Sequence, residues 1–167
     1  MSIPEDLHIS IRKVFEPAGF TCHHVEAEVE SSAYCAYTFQ LNELFILYRH
    51  AKITPTKSGQ FVTLWKRIND GPIQPFDLSD QVDFIIISSR FDKRFGIFIF
   101  PKMVLLEQGV LSGGKKPGKR AIRVYPPWDL LSSAQAIKTQ GWQLPFFLEI
   151  PADAAIDLNR IKNLLTL

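Results

Sequence analysis

Residues 48–67, "YRHAKITPTKSGQFVTLWKR", alternate apolar and polar positions as β-strands do, yet carry Arg49, His50, Lys52, Lys57, Lys66 and Arg67 without one Asp or Glu. Side chains point to alternate faces of a strand. In "FILYRHAKI" (45–53), Phe45, Leu47, Arg49 and Ala51 therefore project to one side, and Ile46, Tyr48, His50 and Lys52 to the other. In "GQFVTLWKR" (59–67), Phe61, Thr63, Trp65 and Arg67 share a side, opposite Gln60, Val62, Leu64 and Lys66. The turn-like "TPTKSG" joins the two runs. Neither face of the first strand stays apolar to its end, so the strand runs from a core into a cleft or an exposed surface.

Upstream, "AYCAYTFQL" meets "FILYRHAKI" across "NEL", the pattern of a β-hairpin. "SIPEDLHISIRKVF" predicts an opening helix, with Pro4 and two acids in its first turn and Leu7, Ile11, Val14 and Phe15 on one face. Downstream, "DFIIISSR" and "GIFIFP" read as two buried strands joined by a charged turn. "KMVLLEQG" reads as a short helix ending at Gly109, and "AIRVYPP" as a sixth strand. A helix capped by Ser132 or Ser133 and interrupted at Pro145 follows, and a final helix turns Ile156, Ile161, Leu164 and Leu165 inward. Asp83, opening a very apolar strand, reads first as a strand-end partner. No repeat or dividing linker is present. The order of elements predicts one α+β domain over residues 1–167, a mixed β-sheet flanked by helices.

A chain of 167 residues, 46% hydrophobic with 13 Phe, is long enough to bury one core. The net charge of +2 says little, but its distribution says more. From Leu44 to Asn69 there are five Lys or Arg and no acid; from Lys93 to Trp128 there are eight, against Glu107 alone. If these segments meet in space, the protein has a basic face. The two cysteines, Cys22 and Cys35, exclude a disulfide framework, and "CHH" at 22–24 lacks paired metal-ligand spacing, so no metal site is assigned. "MSIPEDLHIS" lacks a basic n-region, and no apolar run reaches membrane-spanning length, which points to a cytoplasmic protein without a membrane partner.

Residues 113–120, "GGKKPGKR", pack Lys115, Lys116, Lys119 and Arg120 into a loop whose composition predicts mobility and affinity for phosphate. Gly113, Gly118 and Lys119 match most of a P-loop, but Arg120 stands where a Ser or Thr should hold Mg²⁺, and a strand follows where a helix is required. The P-loop is excluded. Arg123 and Tyr125 project together from the strand beyond it.

The phrases "RHAKITPTKSGQFVTLWKR", "GPIQPFDLSDQVDFIIIS", "FGIFIFPKMVLLEQGVL", "GKRAIRVYPPWD" and "KTQGWQLPFFLEI" resemble the bacterial MepB family, from about Tyr34 to Ile150. The resemblance implies a soluble cytoplasmic protein; the family's biochemical role is poorly defined. The order helix, hairpin, strand, hairpin, helix, strand is also similar to the core of PD-(D/E)XK nucleases. Those enzymes hold Mg²⁺ with two carboxylates beside a catalytic lysine. Here His50-Ala51-Lys52 stands where an acid-x-Lys triplet belongs, so the resemblance implies a degenerate active site.

Three functions compete. The first is a nucleic-acid-binding module, monomeric or weakly dimeric, needing no cofactor and contacting its ligand through Arg49, Lys52, Lys57, Trp65, Arg67, Lys102, Lys115, Lys116, Arg120 and Arg123. The second is a Mg²⁺-dependent nuclease with Lys52 as catalytic lysine and Glu43 or Glu30 as metal ligand. The third binds an anionic metabolite or another protein in the same basic cleft.

Overall fold

The hairpin forms as its alternation predicts. β2 (Tyr37–Leu41) and β3 (Leu44–His50) pair antiparallel, turning at Asn42 with φ +53°. The computed structural model describes residues 2–167. β8 (Phe84–Phe91) lies parallel to β3 and antiparallel to β9 (Arg94–Pro101). Asp83 ties the start of β8 to the start of β3, its Oδ2 accepting the Phe45 N–H at 2.8 Å. β1 (Cys22–Ala27) and β11 (Phe147–Glu149) complete a six-stranded mixed sheet in the order β1-β2-β3-β8-β9-β11. Neither outer strand was expected. β1 carries two His and a Glu and is half exposed, and β11 has only three residues, so both lack a buried strand's pattern.

Both faces of the sheet are covered, which is why β8 reads as a continuous apolar run from Phe84 to Ile87. On one face, α1 (Glu5–Ser10) passes without a break into π-helical turns at Ile11–Phe15. With α4 (Leu158–Leu164), it packs Leu7, Val14, Phe15 and Ile161 onto Phe39, Ile46, Tyr48, Ile86 and Ile97. The other face presents Leu47, Ile85, Ile87, Phe98 and Phe100. It is covered by a small sheet in the order β10 (Ala121–Val124), β5 (Lys57–Thr63), β4 (Lys52–Thr54) and by α2 (Lys102–Glu107), with α3 (Ala134–Gln143) alongside.

Two runs that read as single strands change sheets. The first breaks at Ala51: β3 ends at His50, and β4 (Lys52–Thr54) joins the small sheet. The second breaks at Leu64: β5 (Lys57–Thr63) lies in the small sheet, whereas β6 (Trp65–Arg67) pairs with β7 (Ile73–Pro75). Buried Ala51 and Leu64 sit at the corners. Alternation survives a corner, so sequence periodicity does not reveal it. Trp65 and Arg67 therefore do not share a surface strand with Phe61.

The loop at 113–120 is also corrected. Gly113 and Lys116 exchange both backbone hydrogen bonds at 3.0 Å, and the Gly118 and Lys119 N–H groups donate to Ser112 Oγ (2.7 Å) and the Val110 carbonyl (2.8 Å). A Cβ on Gly118 would stand 2.3 Å from that carbonyl oxygen, so this glycine serves close packing rather than mobility.

Candidate functional site

The small sheet turns its apolar side, with Val62, Ile122 and Val124, to the core. Its other side carries the site. β10 (Ala121–Val124) pairs with β5 so that Arg123 faces Phe61, and β5 pairs with β4 so that Phe61 faces Lys52. Directly opposed residues of antiparallel strands share a face, so Arg123, Phe61 and Lys52 form one row. Lys52 Nζ lies 5.1 Å from the centre of the Tyr34 ring, and that ring is 6.1 Å from Phe61 at 60°. The Arg123 guanidinium lies 5.7 Å from the Phe61 ring centre. It donates to the carbonyls of Ser58 (3.2 Å) and Gly59 (3.5 Å) and to Thr54 Oγ1 (2.9 Å). These neutral acceptors fix Arg123 without cancelling its charge.

β10 is an edge strand, and α3 secures that edge. Fully buried Gln143 donates through Nε2 to the Arg123 carbonyl (2.9 Å) and accepts the Tyr125 N–H at Oε1 (2.8 Å), as a neighbouring strand would. The Tyr125 ring packs against Gly59, φ +76°, where a Cβ would meet it at 2.5 Å. Gln143→Leu leaves two backbone groups unpaired beside an apolar side chain, at about 1–3 kcal/mol each. The expected result is a urea-unfolding midpoint lowered accordingly.

Between this face and α3 runs an open groove of about 950 Å³. Lys57, Lys119, Arg123 and Lys138 line it with the rings of Phe61, Tyr125 and Trp142, and no Asp or Glu is among its lining residues. α3 starts at the groove wall, with Ser133 Oγ accepting the Ala136 N–H at 3.1 Å.

The ten cations and aromatics predicted from sequence divide into three groups. Lys52, Lys57 and Arg123 lie on the site's face or in its groove. Lys115, Lys116 and Arg120 are exposed on the tied loop. The remaining four have other employment. Arg49 is wholly buried; it meets Glu28 with both terminal nitrogens (3.0 and 3.1 Å) and also donates to the carbonyls of Tyr48 and Thr63. Trp65 Nε1 and Arg67 Nε both donate to Glu30, at 3.1 and 2.7 Å. The Arg67 bond, first, and the Trp65 bond hold the Glu30 carboxyl below its ordinary pKa. Lys102 donates to the Asp80 carbonyl at 2.6 Å. The acids that the basic segments lack arrive from elsewhere in the chain.

The nuclease constellation does not assemble. Glu43 is exposed at the hairpin turn, and the seven residues of β3 separate it from Lys52, about 20 Å of extended chain. Glu30 is occupied by Arg67 and Trp65. These residues do not fit a Mg²⁺ site. His50 instead belongs to a polar cluster under α1, its Nδ1 lying 2.7 Å from Ser88 Oγ and 3.2 Å from Asp6 Oδ2. Ser88 Oγ is in turn 2.7 Å from Tyr48 Oη. Serine and carboxylate meet the same ring nitrogen, so no Ser-His-Asp relay is formed. Burial lowers the His50 pKa and raises that of the Tyr48 phenol, as expected of groups that anchor a helix.

Among the site residues, Phe61 and Tyr125 were visible in sequence only as strand neighbours of cations. Tyr34, Lys138, Trp142 and Gln143 gave no signal, because a lone Lys or Gln in a helix reads as a solvated face. No described helix is long and apolar enough to cross a membrane.

A MepB-like family model matches residues 28–149. A solved structure described as the "Crystal Structure of MepB" is 31% identical, with a TM-score of 0.77, covering 92% of this chain and 99% of that chain. No curated protein matches. Family match and shared fold extend over most of the chain, including the small sheet and the groove, and the chain belongs to the MepB-like family.

Proposed function

We propose that this protein binds nucleic acid along the outer face of the small sheet and the adjoining groove, without cleaving it. One observation carries the reading: four cations and three aromatic rings line the groove, and none of its lining residues is an Asp or Glu. Cations release the counterions condensed on phosphates, and rings stack on bases. The absence of cleavage rests on the carboxylates, since Glu28 and Glu30 are engaged by arginines and Glu43 lies at the far end of β3.

The test is fluorescence anisotropy of a labelled oligonucleotide over a salt series. Four phosphate contacts predict that the logarithm of the binding constant falls against the logarithm of salt with a slope of about −3 to −4. A slope near zero, or no binding at low salt, would overturn the assignment. Tight binding of small phosphorylated metabolites with none of oligonucleotides would favour an anionic metabolite instead.

A further inference from the structure

Resting on that reading, we infer that the ligand is a single strand, its bases stacked on the Phe61, Tyr125 and Trp142 rings while Arg123 takes a phosphate beside them. The rings carry the inference. A duplex hides its base faces within its own stack and offers a groove such as this one only phosphates. Cations alone would serve a duplex. Yet three half-buried aromatic side chains line the same groove as the cations.

Phe61 is the centre of this arrangement. Arg123 stands on one neighbouring strand and Lys52 on the other, both directly opposite it. The Tyr34 ring meets it tilted by 60°, and the uncovered surface of Phe61 lines the groove. Tyr125 packs against Gly59, which has no Cβ to push it away, and its backbone is clamped by Gln143. Arg123 is held at its guanidinium by three neutral oxygens. Rings and cation are thus fixed before any ligand arrives, which lowers the ordering cost of binding. Base–aromatic stacking tolerates any sequence, because every base has a π-face. Recognition here is therefore of unpaired bases rather than of a sequence.

Three probes of equal length, about 12 nucleotides to exceed a short single-strand site, separate the possibilities: a single strand, the same strand in a duplex, and an abasic strand carrying only the sugar–phosphate chain. The expected result is that the single strand binds at least about tenfold tighter than either of the others. Phe61→Leu should remove most of that margin, with retention of the fold read separately from its far-UV circular dichroism and urea-unfolding midpoint. Tyr125→Leu, read in the same way, supplies a second measurement if the first variant does not fold. Equal affinity for all three probes would overturn the inference and leave nucleic-acid binding standing. Binding of none of them at low salt would overturn both.

Discussion

Arg49→Ala is expected to lower folding stability by about 3–5 kcal/mol, the range for removing one partner of a buried ion pair. Arg49 is among the largest fully buried side chains of the protein, and its guanidinium is the hub of three elements. It holds the carboxylate of Glu28 beyond β1, the Thr63 carbonyl at the end of β5 and the Tyr48 carbonyl on β3. Truncation leaves the Glu28 carboxylate without its cation, two carbonyls without these donors and a void between the two sheets. In urea unfolding the loss appears as a lower midpoint, and on heating as a fall of about 10 °C for a chain of this size. The double variant Glu28→Gln with Arg49→Met removes both charges while keeping bulk, and should recover a large part of the loss. A single-variant cost below about 1 kcal/mol would mean that the pair is solvated rather than buried.

The largest effect on binding is expected from Lys57, Lys119 and Lys138 replaced together by Ala. All three are exposed and line the groove, so stability should move by only a few tenths of a kcal/mol at each position. If each meets a phosphate, the salt slope should flatten by about 2–3, and counterion release alone implies an affinity loss of about 100-fold at physiological salt. A control set, Arg67 and Lys102 replaced by Ala, removes two cations already bonded to Glu30 and the Asp80 carbonyl. It should leave both slope and affinity nearly unchanged. Equal losses from the two sets would mean that diffuse positive charge, not the groove, attracts the ligand.

Local pattern made the scaffold legible. The hairpin at Asn42, the apolar runs of β8 and β9, the stop of α2 at Gly109, φ +74°, and the Ser133 cap all follow from short-range preferences and form where those preferences place them. The corners at Ala51 and Leu64 were illegible, because a strand that leaves one sheet for another keeps its alternation of two. The fate of the cations was illegible for a different reason. Arg49 pairs with an acid 21 residues upstream, and Arg67 with one 37 residues upstream, so a window empty of acids in sequence is not empty in space. The Gly- and Lys-rich loop misled by composition, since Gly118 is small to admit the Val110 carbonyl rather than to flex. The groove arises only when α3 lies beside β10, and no local signal announces that encounter.

The small sheet is stitched from two separate excursions of the chain. β4 and β5 belong to the stretch between the parallel strands β3 and β8, and β10 to the stretch between β9 and β11. The hairpins β2–β3 and β8–β9 close between near neighbours in the chain, and such contacts form early. Arg123 must find Phe61 across some sixty residues, a closure with a greater entropic cost. On this count the small sheet is expected to assemble after the two hairpins. A ligand bound across β5 and β10 would hold the two excursions together, adding its stability at the seam between them rather than in the main sheet.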